Sequence, residues 1–90
     1  MLISAGTVNE SLAHPREIFK PAIASSVYAF ILAHNHPSGC CEPSEADRQL
    51  TRRVAEAARL LQIHLLDHVI CGTPQQGRPG FFSFKGAGLL

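Results

Sequence analysis

The stretch VYAFILAHNHPSGCCEPSEAD, Val27–Asp47, decides how the chain folds. From Ser26 the residues VYAFILAHNH are β-branched, aromatic and apolar nearly throughout, and the run is too short for an ordinary helix. They predict a strand buried on both faces, as inside a parallel sheet. His34 and His36 stand at the end of that strand, where Pro37-Ser38-Gly39 turns the chain away. A long helix is expected from Ser44 to about Gln62. Leu50, Val54, Ala57, Ala58 and Leu61 recur at helical spacing, with Arg48, Arg52, Arg53, Glu56 and Arg59 largely elsewhere.

On the amino-terminal side, Leu2–Val8 is short and apolar and is closed by Asn9-Glu10-Ser11, which predicts a strand and a turn. HPRE then opens a helix, Pro15–Ser25: Pro15 suits the first helical position, Glu17 lies in the first turn, and Ile18, Phe19, Ala22 and Ile23 form an apolar stripe. His14 is a residue at the helix start. Pro21 is awkward there, because a proline beyond the first turn removes a backbone bond. On the carboxyl side, Ile63–Cys71 is a second apolar strand candidate, with Cys71 expected in the core. Gly72–Gly80 reads as a loop and Phe81–Phe84 as a closing strand. The order β, α, β, α, β, β predicts an α/β or α+β sandwich without internal repeats.

At 90 residues the chain is one small domain with a thin stability margin. A net charge of +1 supplies no global field for nucleic acid or an anionic membrane. The four arginines of the long helix are more simply a solvated face than a phosphate-binding one, and no aromatic residues interleave them. Three cysteines, two of them adjacent, make no disulfide framework and fit a reducing cytoplasm. No apolar run approaches the roughly 20 residues that span a bilayer, so no membrane partner is expected.

The chemistry-bearing residues cluster around the first turn of the long helix. Residues two apart on an extended chain project to one side, so His34 and His36 can meet a single ion. Imidazole nitrogens bind zinc at about 2.0–2.1 Å, and a carboxylate such as Asp47 is a common third ligand. The pieces also have ordinary meanings. H-x-H occurs by chance, and S-x-x-D before an apolar helix is a capping signature that would make Ser44 the N-cap.

The complete string is more specific than its parts. His34-Asn35-His36, seven residues, then Ser44-Glu45-Ala46-Asp47 resembles the JAMM motif at every fixed position. With GTVNESLAHPREIFKPA, FILAHNHPSG, EPSEAD and LLDHVICG, nearly the whole chain resembles the RadC family of MPN/JAB domains. The resemblance implies an MPN/JAB-like, cytidine-deaminase-like mixed sheet with flanking helices, occupying residues 1–90. It implies a zinc-dependent metallohydrolase acting on a peptide or isopeptide bond, with His34, His36 and Asp47 as zinc ligands. Ser44 would act at the catalytic centre, positioning water or stabilising the oxyanion. The RadC branch also carries an association with DNA repair.

The sequence departs from that pattern in three places. JAMM chemistry uses a glutamate base on an earlier strand, and the expectation is that the chain starts after it, without the family's first strands; a homodimer would then cover the open sheet edge. Glu17 is the nearest substitute, although its first-turn position has an ordinary dipole explanation, and Glu10 is weaker. The alternative function is therefore a non-catalytic metal-binding or DNA-repair-associated accessory module. Cys40 and Cys41 stand where relatives tend to carry Asp, Asn or Pro, and either offer thiolates or are tolerated loop residues. Asp67 and His68 are candidates to support the ligands from the second apolar strand, while His64 is expected to be exposed.

Overall fold

A computed structural model describes residues 1–7 and 14–90. Val8, Glu10 and the turn expected after the first strand lie outside the described residues. The elements are β1 (Leu2–Thr7), α1 (Pro15–Ala24), β2 (Ala29–Asn35), α2 (Glu45–Leu61), β3 (His64–Cys71) and β4 (Phe81–Ser83). They build one four-stranded sheet in the order β1-β2-β3-β4. β1, β2 and β3 run parallel, and β4 returns antiparallel to β3. Parallel neighbours need long crossovers, and α1 and α2 provide them. The result is the expected α/β class with a mixed sheet.

Both helices pack on the same face of the sheet. Ile18, Phe19 and Ala22 of α1 and Leu50, Val54 and Ala58 of α2 join Ile3, Phe30 and Leu32 in one core. Phe19 meets Phe30 edge to face, with ring centroids 5.2 Å apart, a favoured aromatic geometry. Pro21 does not break α1, which continues to Ala24 with the proline on its exposed side. The basic face of α2 is solvated, and Arg52 and Arg59 pair with Glu45 and Glu56 of the same helix.

Two burial expectations are corrected. β2 is buried on one face only: Phe30, Leu32 and His34 alternate with the half-buried Ala29, Ile31 and Ala33. Among the described residues both helices lie against the row of Phe30 and Leu32, which leaves the other apolar row half-buried. Cys71 is exposed rather than core. The strand alternation gives the covered side to Ile70 and turns Cys71 to the other.

Sequence dictates the ends of α2. Ser44 is the N-cap, and the capping box is complete: the Asp47 N–H donates to Ser44 Oγ at 3.1 Å and the Ser44 N–H to Asp47 Oδ2 at 2.7 Å. Gln62 closes the helix in the left-handed region at φ 58°. No helix among the described residues is long and apolar enough to cross a membrane.

Candidate metal centre

The carboxyl end of β2 meets the amino end of α2, where α/β sheets place their ligands. Strand alternation puts His34 on the helix-covered side after Phe30 and Leu32, and His36, one residue beyond the strand, continues the row. The capping box brings Asp47 up to face them. His34 Nε2 lies 3.1 Å from Asp47 Oδ1, His36 Nε2 lies 3.0 Å from Asp47 Oδ2, and the two Nε2 atoms are 3.3 Å apart. Among the described residues, these three are the group whose donor atoms, all within 4.8 Å of one another, can hold a metal ion. The capping and ligand meanings of S-x-x-D thus coexist, since one carboxylate caps the helix and faces both imidazoles.

The surroundings test whether a cation fits. His36 Nδ1 lies 2.8 Å from the Cys40 carbonyl, which can only accept, so Nδ1 carries a hydrogen and the ring is turned with Nε2 towards Asp47. Imidazole nitrogens and carboxylate oxygens converging at about 3 Å are bridged either by ring hydrogens or by a cation that replaces them. That donor set suits a metal of the zinc type.

The loop that orients His36 is itself pinned. The Gly39 N–H donates back to His36 O, closing a turn in which Gly39 adopts φ +83°. Gly39 O then accepts the Thr73 N–H at 2.8 Å. A Cβ on Gly72 would lie 2.4 Å from that oxygen, so only glycine permits the close approach.

Behind His34 lies a second tier. His68 Nε2 is 2.9 Å from His34 Nδ1, and Thr51 Oγ1 is 2.5 Å from His68 Nδ1 and 2.9 Å from Asp47 O. Phe84 stacks on the His68 ring, 4.7 Å away and 6° from parallel. Burial, followed by the proximity of His34, pushes the His68 pKa down to about 4, and burial likewise lowers that of His34. For Asp47 burial opposes ionisation, but hydrogen bonding to Ser44 and then the two histidines outweigh it and hold the carboxyl below its ordinary value.

The sequence-derived candidates therefore separate. His34, His36, Asp47 and Ser44 come together, and His68 joins them as a support. Asp67 does not: its carboxylate accepts from Ser83 Oγ, the Lys85 N–H and its own neighbour's N–H, fixing the chain around β4. Cys40 contributes its carbonyl rather than its thiol, and the Cys41 thiol turns to Pro79 O. Glu17 pairs with Arg16 on the exposed side of α1, and His64 is exposed beside Tyr28. Thr51 was not singled out by its sequence context. The signal that could have found it is its position one turn after Asp47 on the buried side of α2.

Fold and site define a class: an α/β domain whose central strand and following helix bring two histidines and an aspartate to one point. Over residues 1–89 the chain matches the RadC-like JAB domain, and it belongs to that family. It is 54% identical over 88 residues to a UPF0758 protein of Rubrobacter xylanophilus, covering 98% of this chain and 36% of that relative. Against a UPF0758 protein of Pelodictyon phaeoclathratiforme it is 53% identical over 89 residues, covering 99% and 38%. A UPF0758 protein of Chlorobium luteolum is 52% identical over 88 residues, with 98% and 37% covered. The chain thus spans little more than a third of the length of these curated relatives.

Proposed function

We propose that this chain carries the metal centre of a zinc-dependent hydrolase of the JAMM type, acting on a peptide or isopeptide bond. The observation that supports the reading best is the convergence of His34 Nε2, His36 Nε2 and the Asp47 carboxylate in a JAB-family domain. Three protein ligands suit a catalytic rather than a structural zinc, because they leave the fourth position open. Bound there, zinc would make a water acidic near neutral pH and polarise a substrate carbonyl.

The chain's own residues divide the remaining work. His34 and His36 hold the ion from the strand, and Asp47 holds it from the helix while its charge offsets part of the metal's. Ser44 uses an oxygen lone pair to cap α2, which leaves its hydroxyl hydrogen to donate to the oxyanion that develops during attack. Ser44→Ala is expected to lower α2 and protein stability by about 1 kcal/mol, through loss of the cap. Zinc affinity should stay within a few-fold of wild type, because the Ser44 backbone N–H still holds Asp47. Chemical unfolding and zinc competition titration on the same preparation check both halves.

A second reading has its own support. Among the described residues no glutamate accompanies the three ligands, which favours a metal-binding module whose general base comes from elsewhere or is lacking. The paired arginines of α2 lend no support to a DNA-binding role. Metal analysis of the purified protein tests the common core of both readings. About one zinc per chain is expected, removable by a chelator; a protein with no metal that also takes up none on titration would sink both.

A further inference from the structure

Thr51, His68, His34 and Asp47 form a closed circuit that begins at the Asp47 carbonyl and returns to the Asp47 carboxylate. Every member is buried: His68 and His34 are 0% and 2% exposed, and Thr51 and Asp47 are each 3%. Among the described residues, no buried side-chain nitrogen or oxygen lacks a partner. Each hydrogen in the circuit can therefore be assigned by counting donors and acceptors.

The count starts at Thr51, whose hydroxyl has one hydrogen. Asp47 O, one helical turn back and 2.9 Å away, can only accept, so that hydrogen goes to it. Thr51 Oγ1 is then an acceptor towards His68, which places a hydrogen on His68 Nδ1. With one hydrogen on each ring, His68 Nε2 keeps a lone pair and accepts from His34 Nδ1–H at 2.9 Å. His34 Nε2 is left unprotonated and aimed at the point where His36 Nε2 and Asp47 converge.

We infer that Thr51 and His68 are positioning residues that fix the ring orientation and tautomer of His34 for metal binding, an inference that rests on the metal-centre reading above. The opposite sense of the circuit has a definite consequence. If Thr51 gave its hydrogen to His68 Nδ1, then His68 would donate to His34 Nδ1 and the His34 hydrogen would move to Nε2. That hydrogen would close on Asp47 Oδ1, and a cation would have to displace it to bind. The bond from Thr51 to the Asp47 carbonyl selects the open sense. It also ties the tautomer of a strand residue to the backbone of the helix that supplies the carboxylate, so both halves of the site are set by one element.

The test combines nitrogen-15 spectroscopy of the histidine rings with zinc titration against a competing chelator, on wild type, Thr51→Val and Thr51→Ser. In the wild-type protein His68 should show its hydrogen on Nδ1, both before and after zinc is added. Thr51→Val, equal in shape but without the hydroxyl, should weaken zinc binding by roughly 10–100-fold and shift the ring signals of His68 and His34. Thr51→Ser should restore both. A merely structural role would move stability without moving the ring signals. The inference is overturned if Thr51→Val binds zinc as wild type does with unchanged His34 signals, or if wild-type His68 carries its hydrogen on Nε2. Should Thr51→Val fail to fold, the wild-type ring assignment and Thr51→Ser decide alone. A wild-type protein with the assigned tautomers but no affinity for zinc would sink the metal reading and not the circuit.

Discussion

Asp47→Ala is expected to abolish zinc binding and to destabilise the metal-free protein in one step, because a single carboxylate would serve both purposes. Its Oδ2 accepts the Ser44 N–H at 2.7 Å, and its two oxygens stand 3.0–3.1 Å from the histidine Nε2 atoms. Loss of the cap costs about 0.5–2 kcal/mol. Loss of a direct ligand should lower zinc affinity by more than the roughly 10–100-fold that follows loss of a supporting residue. Asp47→Asn separates the two effects, since an amide oxygen can still accept from Ser44 N–H while the charge is gone. The expectation is near-normal stability in chelator together with strongly weakened zinc binding. Urea unfolding in chelator and competition titration in its absence provide the two readings. Wild-type zinc affinity in either variant would remove Asp47 from the ligand set.

The H-x-H pair was legible in the sequence because a strand's period of two is a local property: residues two apart project to one side, so His34 and His36 were expected to meet. Asp47 was legible through its spacing from Ser44, which is a helix-start signature whatever else it does. What the sequence could not provide is register. His68 reaches His34 because β3 lies beside β2 with Leu32 opposite His68, after an irregularity at Phe30 and Ile31 that shifts the pairing. No local pattern encodes that shift, and Asp67, adjacent in sequence and similar in chemistry, points instead to Ser83 and Lys85. Layering is equally non-local. The apolar residues of β2 report a strand suited to burial on both faces, whereas the number of layers depends on where α1 and α2 settle. Thr51 lies between these cases: its helical position relative to Asp47 is local, but its meaning appears only once His68 arrives from β3.

Acid should lower the stability of the metal-free protein in two stages, the first governed by His68. Burial, then the neighbouring His34, depresses its pKa from 6.5 to about 4; Asp47 and Asp67 pull the other way and His36 adds to the depression. A depressed histidine pKa means that the unfolded chain binds more protons than the folded one between these values, so stability rises with pH across that window. The contribution is therefore complete above about pH 6.5 and is lost as pH falls towards 4. At about 1.4 kcal/mol per unit the loss approaches roughly 3 kcal/mol, large beside the roughly 5–15 kcal/mol of a typical domain. His34, also depressed, adds loss of the same sign. The second stage follows at lower pH: Asp47 and Asp67 are held below their ordinary value of 3.8, so their stabilisation is present above it and disappears as they protonate. Urea unfolding in chelator at half-unit steps from pH 8 to 3.5 measures the curve. His68→Gln, which keeps a donor and an acceptor but cannot titrate, should flatten the first stage and leave the second. A wild-type profile that is level from pH 7 to 4.5 would mean that His68 is not held neutral by its burial under Phe84.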